Sequence, residues 1–129
     1  MRCAVAWSKW EASTMYLIPN EASIREHAEP KTALPLARIE CHYFHHNTFF
    51  ETPNYLLENV PKIRHIPGVI IHGRYDLVCP VRNAWDLHRA WPEAEFSIVP
   101  NAGYAAMEPG TRSRLIEATE AFKRIKADD

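Results

Sequence analysis

The sequence is poor in the residues from which several kinds of site are built. Glycine occurs only four times in 129 residues, and no serine stands in the G-x-S-x-G turn that carries a hydrolase nucleophile. The three cysteines, Cys3, Cys41 and Cys79, are widely spaced and form no C-x-x-C pair. This spacing argues against a disulfide framework or a zinc site, and it favours a reducing, cytoplasmic location.

The chain also lacks a strong net charge and a long apolar run. Its 15 basic and 16 acidic residues give a formal net charge of −1, which offers nothing to attract nucleic acid or an anionic membrane. No apolar run is long enough to cross a bilayer, and the N-terminal stretch is too short and too interrupted for a signal peptide. We therefore expect neither a nucleic-acid nor a membrane partner.

The first part of the chain is predicted to be helical and the second part to alternate strands with helices. Helical spacing runs through residues 7–46, and a short helix is expected from Tyr55 until Pro61. Residues 69–71 and 96–99 are apolar runs typical of buried parallel strands. Helices are predicted from Pro80 to about Trp91 and from about Thr111 to Lys126. The last of these is predicted to turn one stripe inward: Leu115, Ala118, Phe122 and Ile125.

This β–α–β–α order predicts an α/β fold with two parallel strands. Two strands are too few to be stable alone, and both outer edges of such a sheet would be open. The chain by itself is therefore expected to be marginally stable, aggregation-prone or oligomeric.

Function in parallel sheets sits in the loops beyond the carboxyl ends of the strands, here residues 72–80 and 100–109. The block at residues 66–76, Ile-Pro-Gly-Val-Ile-Ile-His-Gly-Arg-Tyr-Asp, is followed by Cys79-Pro80 and by Ala-Trp-Asp-Leu-His at residues 84–88. Upstream stand Trp-Ser-Lys-Trp-Glu at residues 7–11 and Ala-Arg-Ile-Glu-Cys-His-Tyr-Phe at residues 37–44. In this order the segments closely resemble prolyl aminopeptidases (proline iminopeptidases), serine peptidases of the α/β-hydrolase fold.

The resemblance implies that residues 1–60 are part of a helical cap and residues 61–129 the C-terminal part of a hydrolase core. It implies no cofactor and no metal, and a Ser-Asp-His triad in which Asp76 is the acid. The residues alone favour a different interpretation, in which Asp76 begins the turn into the next helix, and it is the surrounding motif that favours the triad acid. Where the family has the triad His, this chain has Tyr104, and a phenol with a pKa near 10 is a poor general base. His72 and His88 are expected to be too far away to replace it.

The resemblance also implies a substrate pocket for peptides that begin with proline. Glu11 and Glu40 match the cap carboxylates that bind the free amino group, and Phe44 and Cys79 match residues that surround the proline ring. Glu40 and Phe44 are four residues apart and so share a helix face. Without the resemblance, a solvated glutamate beside a core phenylalanine is the favoured explanation of that spacing, because such isolated pairs are common.

Two other clusters receive structural interpretations. His42, His45 and His46 stand at i, i+3 and i+4, a spacing that metal ligands can have. No further ligand with suitable spacing follows in the sequence, so no metal site is predicted. The four tryptophans at positions 7, 10, 85 and 91 are interpreted as core residues.

Three hypotheses account for these features. In the first, the chain is an inactive remnant of a prolyl aminopeptidase. In the second, it is one subunit of a split hydrolase whose N-terminal half is a separate chain. In the third, it is a non-catalytic module that binds amino-terminal proline.

Overall fold

The structure, a computed structural model, describes residues 1–124 of the chain. It contains six α-helices and two strands in that range. In chain order they are α1 (Arg2–Thr14), α2 (Glu21–His27), α3 (Pro30–His45), α4 (Tyr55–Asn59), β1 (Val69–Gly73), α5 (Val81–Ala90), β2 (Glu95–Val99) and α6 (Pro109–Phe122). Short 3-10 helices span Asn47–Phe49 and Val60–Lys62.

The helical part is broken where the sequence changes character after Thr14. Pro19 and Asn20 stand in this break, and the Asn20 side chain accepts hydrogen bonds from the Ala22 and Ser23 N–H groups at 3.1 Å each. Asparagine is a preferred N-cap because it satisfies N–H groups that have no partner in the first helical turn. The interpretation of residues 7–46 as one helical stretch therefore missed a division into α1, α2 and α3.

Small side chains let α1 and α3 pack closely. Ser8 and Ala12 on α1, and Ala33 and Ala37 on α3, are all buried. Because these residues lie on one face of each helix, the two backbones approach each other and the larger side chains beside the seam are brought together. Trp7 and Glu40 are two of those larger side chains.

The two strands pair in parallel, with Val69 opposite Glu95 and Gly73 opposite Val99. On one face, α5 covers the sheet through an aromatic contact in which the His88 ring stacks on Phe96 at 5.0 Å between centroids. The order of elements and the parallel pairing confirm the α/β fold with flanking helices after a helical segment.

The predicted degree of burial was too high in this half. The strand residues 69–72 are only half-buried, and Leu115 and Phe122 of α6 are 39% and 38% exposed. Three of the four tryptophans, Trp7, Trp10 and Trp85, are also exposed, so their interpretation as core residues was wrong. Hydrophobic periodicity indicates which face of an element is apolar, but it does not show whether anything covers that face. Ile125 and Lys126, assigned to the last helix from sequence, lie outside the described residues.

One edge of β1 is left without a partner in the described part of the chain. Hydrogen bonds from Glu95 N to Gly68 O (2.9 Å) and from Arg74 N to Val99 O (3.0 Å) show which residues of β1 face β2. Successive residues of a parallel strand direct their backbone N–H and C=O groups to alternate sides. Val69 and Ile71 therefore direct theirs to the edge opposite β2. The described sheet contains only these two strands, so that edge can accept another strand.

None of the helices within residues 1–124 has both the length and the apolar character that a membrane crossing needs.

Candidate functional site

The loops that follow β1 and β2 are bonded to each other. Tyr75 N donates to the Ala102 carbonyl at 3.0 Å, and Arg74 N donates to the Val99 carbonyl at 3.0 Å. Gly73 permits this contact, because a Cβ there would lie 2.7 Å from the Ala102 carbonyl oxygen and closer still to that of Gly103. The two loops expected to carry function are thus one connected unit.

Asp76 is the buried acid of this unit, with 4% of its side chain exposed. One carboxylate oxygen, Oδ1, accepts hydrogen bonds from Val78 N at 2.9 Å and Cys79 N at 2.8 Å. The turn interpretation of Asp76 is therefore correct as far as Oδ1 is concerned. The second oxygen, Oδ2, takes no part in the turn and remains for another partner.

His72 is the residue that lies against that second oxygen. Its Nε2 is 3.3 Å from Asp76 Oδ2 and 2.8 Å from the Cys79 carbonyl oxygen. Because both neighbours are acceptors, Nε2 carries the proton and donates it. The expectation that His72 would not reach the site was wrong: it is the last but one residue of β1, where a side chain can fold over the loop. With its Nε2 occupied in this way, His72 fixes the loop and is not available at that nitrogen as a base.

Tyr104 lies on the loop after β2 and is surrounded by acidic groups. Partial burial raises the pKa of its phenol, and the nearby Cys79, Asp76, Glu11 and Glu40 raise it further. A phenolate at Tyr104 would lie near these four acidic groups, and their negative charge would disfavour its formation. The residue at the expected triad His position is therefore neutral at pH 7, and it lies near both the acid and the cap carboxylates.

The carboxyl groups of Glu11 and Glu40 face each other across the α1–α3 seam. The indole N–H of Trp7 donates to Glu40 Oε2 at 2.7 Å, whereas Glu11 Oε2 is buried and has no partner among the described residues. Burial, then the charge of Glu40 and a hydrogen bond to it, raise the pKa of Glu11 to about 7; His27 and the Trp7 N–H lower it to a smaller extent. Two carboxyl groups held together in this way could both accept hydrogen bonds from one cationic group.

A cavity of about 340 Å³ opens beside Glu11. Its lining comes from α1, from α3 and from the loop after β1: Trp7, Trp10, Glu11, Thr14, Phe44, Leu77 and Val78. Phe44 thus lines the cavity, while Cys79 is not among the lining residues. Cys79 lies beside Asp76. Partial burial raises the pKa of the Cys79 thiol, and the negative charge of Asp76 raises it further. The structure brings the six predicted site residues into one region. Glu11 and Phe44 line the cavity and Glu40 faces Glu11, whereas Asp76, Cys79 and Tyr104 belong to the two loops that follow the strands.

Glu108 is a site-building residue that the sequence analysis missed. Its buried carboxylate accepts hydrogen bonds from Leu17 N at 2.9 Å and Gly103 N at 2.6 Å. Met15 O also accepts from Ala105 N at 2.9 Å, so the segment after α1 is fastened to the loop that carries Tyr104. A glutamate directly before Pro109, at the start of a helix, was the available signal, but it did not reveal the distant partner.

Replacing Glu108 with alanine should lower the free energy of unfolding by about 3 kcal/mol, since it leaves two N–H groups without their charged acceptor. Chemical denaturation measures this change. Glu120→Ala removes a carboxylate from the exposed face of α6 and should change stability by less than ~0.5 kcal/mol. Equal effects of the two substitutions would contradict the role given to Glu108.

The histidines at the end of α3 form an exposed aromatic group. His42 and His46 lie 4.7 Å apart between ring centroids, and His46 stacks on Phe49 at 5.0 Å. Within residues 1–124 no three His, Cys, Asp or Glu side chains are grouped so that they could hold a metal ion.

An acid at the end of a parallel strand, a second loop bonded to it and a helical segment packed against them form the arrangement that the sequence predicted for part of an α/β-hydrolase. No family model matches the chain. Among curated proteins, it is 50% identical over 122 residues to a proline iminopeptidase of Arabidopsis thaliana and 49% identical over 122 residues to one of Xylella fastidiosa. It is 50% identical over 125 residues to a probable proline iminopeptidase of Leptolyngbya boryana.

These alignments cover 95%, 95% and 97% of this chain, but only 32%, 39% and 39% of the respective relatives. The resemblance to prolyl aminopeptidases is therefore confirmed, and it concerns only part of the length of those proteins.

Proposed function

We propose that this chain recognises the amino-terminal proline of a peptide and does not by itself cleave the bond that follows. The observation that carries the proposal is the carboxyl pair of Glu11 and Glu40 beside an aromatic cavity. A proline ring is apolar and its ring nitrogen is a cationic secondary amine at neutral pH. In this proposal Phe44 packs against the ring, and the carboxyl pair beside the cavity binds the nitrogen.

The chemistry of the pair matches that ligand. A secondary ammonium group donates two hydrogen bonds, and each carboxyl group can accept one of them. Hydrogen bonds between charged groups contribute about 1.5–3 kcal/mol each, enough to decide affinity for a small ligand. Glu11 Oε2, which has no hydrogen-bond partner among the described residues, would gain one.

The residues of this chain support the second part of the proposal, that the chain does not cleave the bond by itself. All five serines, Ser8, Ser13, Ser23, Ser97 and Ser113, lack a G-x-S-x-G context, and Tyr104 is a neutral phenol near Asp76. The pair Asp76 and Tyr104 therefore contains the acid of a triad but no general base. In this proposal residues 1–60 act as a partial cap, residues 61–129 as part of a hydrolase core, and the three free cysteines suit a cytoplasmic setting.

Titration of the chain with L-prolinamide tests the proposal. We expect saturable binding, and we expect Glu40→Gln to weaken it by about 10- to 100-fold because a charged hydrogen bond is lost. Glu21→Gln, an equal change of charge on the exposed start of α2, should leave the affinity unchanged. N-acetyl-L-prolinamide has no ammonium group, so binding of this compound as tight as that of prolinamide would contradict the proposal.

The unpaired edge of β1 favours a second candidate, in which the chain is one part of a divided hydrolase and another polypeptide supplies the serine. Val69 and Ile71 present free backbone groups at that edge, and a parallel strand from such a partner would pair with them. Co-expression with a serine-bearing segment of a proline iminopeptidase tests this candidate. A complex that survives size-exclusion chromatography supports it, and two separate species would contradict it.

A further inference from the structure

The end of α3 carries two histidine rings that are one helical turn apart. The backbone N–H of His46 donates to the His42 carbonyl oxygen at 3.2 Å, so the helical relation of residues i and i+4 is kept up to His46. Side chains four residues apart lie on the same face of a helix. The two imidazole rings accordingly stand 4.7 Å apart between centroids, at 69° to each other, and both residues are exposed.

A strained turn holds the second of these rings in place. Asn47, Thr48 and Phe49 have φ values of 47°, 57° and 63°, a left-handed conformation that is rare for a β-branched residue such as threonine. The turn brings the Phe49 ring back onto His46, where the two rings stack with centroids 5.0 Å apart and 18° between their planes. Strain of this kind persists where surrounding contacts enforce it, and it is frequent at ligand sites. Because Phe49 covers the face of the imidazole, the nitrogens on its edge are left free.

The ring nitrogens of this pair differ from those of two other histidines. In His27 and His72, a ring nitrogen is bonded to a backbone carbonyl oxygen, at 2.8 Å in each case. The ring nitrogens of His42 and His46 have no hydrogen-bond partner within residues 1–124. A neutral imidazole has one nitrogen with a free lone pair, and it is the commonest metal ligand in proteins. Each of the two rings can therefore supply one ligand atom.

We propose that His42 and His46 form a two-histidine site for a divalent ion of the nickel, copper and zinc group, and that the bound ion clamps the last turn of α3. Imidazole suits these ions, with a metal–nitrogen distance of about 2.0–2.1 Å for zinc. Two imidazoles on one such ion have ring centroids roughly 4.5–5.2 Å apart, for bond angles between a right angle and the tetrahedral angle. The observed separation of 4.7 Å lies within that range.

The site has two protein ligands and is therefore an exchangeable one. No group of three His, Cys, Asp or Glu side chains that could hold a metal occurs within residues 1–124, so water completes the coordination. The clamped turn includes Phe44, which lines the cavity beside Glu11. An ion that binds the folded arrangement and not the unfolded chain stabilises the fold by mass action. The side chains that bind the ion differ from those proposed to bind proline, so the two proposals are tested separately.

Calorimetric titration of the chain with Ni²⁺ tests the site, because this ion is not reduced by the three exposed thiols. We expect His42→Gln and His46→Gln each to weaken binding by roughly 10²-fold, since a single imidazole cannot chelate the ion. His45→Gln is the matched control. It removes a third imidazole, 4.9 Å from that of His46, but adjacent residues of a helix do not face the same side, so the affinity should stay the same.

Thermal unfolding gives a second measurement. Ni²⁺ should raise the Tm of the unchanged chain and of His45→Gln, but not that of His42→Gln or His46→Gln. If binding at the pair left the Tm unchanged, the clamp would be wrong.

Two results would overturn the site itself. Equal losses of affinity in all three variants would show that His42 and His46 are not a defined pair. Binding that survives both of their substitutions and disappears when the cysteines are alkylated would assign the ion to the thiols. Either result would leave the proposed recognition of proline untouched, because prolinamide binding is measured without metal.

Discussion

Exchanging Tyr104 for histidine should raise peptidase activity by about 10²- to 10⁴-fold in a hybrid enzyme that has a serine nucleophile. Such a hybrid is made by replacing the matching segment of a proline iminopeptidase with this chain. A neutral phenol cannot accept the serine proton at pH 7, and the acidic groups around Tyr104 raise its pKa further. An imidazole titrates near working pH, and Asp76 Oδ2, which the turn leaves free and which has His72 Nε2 at 3.3 Å, can accept a second hydrogen bond and orient it. Release of an aromatic amine from a proline arylamide measures the rate.

Tyr104→Phe is the control for this experiment. It removes the phenol hydroxyl but adds no base, so the hybrid should remain as inactive as with tyrosine. Equal activity of the tyrosine and histidine hybrids would show that position 104 does not supply the base. Activity in the tyrosine hybrid that falls in Tyr104→Phe would show that the phenol itself takes part.

Gly73→Ala should destabilise the chain by more than about 3 kcal/mol, a large share of the stability of a domain of this size. The new Cβ would meet the backbone carbonyl groups of Ala102 and Gly103, and neither can rotate away as a side chain can. The change separates the loop that carries Asp76 from the loop that carries Tyr104. Thermal unfolding followed by circular dichroism measures the loss, and a fall in soluble yield would be consistent with it.

Gly110→Ala is the matched substitution. Its Cβ would lie 2.7 Å from a single methyl group, Val99 Cγ1, which can move. Gly110 is also in the first turn of α6, where alanine favours the helix by up to ~1 kcal/mol over glycine. The two effects oppose each other, so a net change within about 1 kcal/mol is expected. If both substitutions proved equally harmful, crowding of the backbone at Gly73 would not be the cause.

The second half of the fold could be predicted from sequence because its signals are local. Apolar runs at residues 69–71 and 96–99 are bounded by proline and glycine, and the observed strands extend them only slightly, to Val69–Gly73 and Glu95–Val99. The division of the helical part depends on the Asn20 cap, which is also a local signal but was overlooked within a long helical pattern. The exposure of Leu115 could not be predicted, because periodicity does not reveal whether a covering element exists.

The site was predicted from resemblance more than from physical reasoning on the residues. Glu11, Glu40, Asp76 and Tyr104 come from four separate segments, and no spacing rule links them. Sequence alone also could not show that Asp76 uses one oxygen for the turn, or that His72 reaches the other. Both facts depend on how the loop after β1 folds back over the end of the strand.

The bond from Leu17 to Glu108 has a consequence for the order in which the chain folds. It joins residues 91 positions apart, and closing so long a loop has a high entropic cost that local helices do not share. Helices α1 to α3 can therefore form early, while their attachment to the loop that carries Tyr104 must wait for the last part of the chain. During synthesis, the cavity beside Glu11 would lack the loop that carries Tyr104 until the ribosome has passed Glu108 and released it. A nascent chain shorter than that would display the carboxyl pair without the loop that neighbours it in the folded protein.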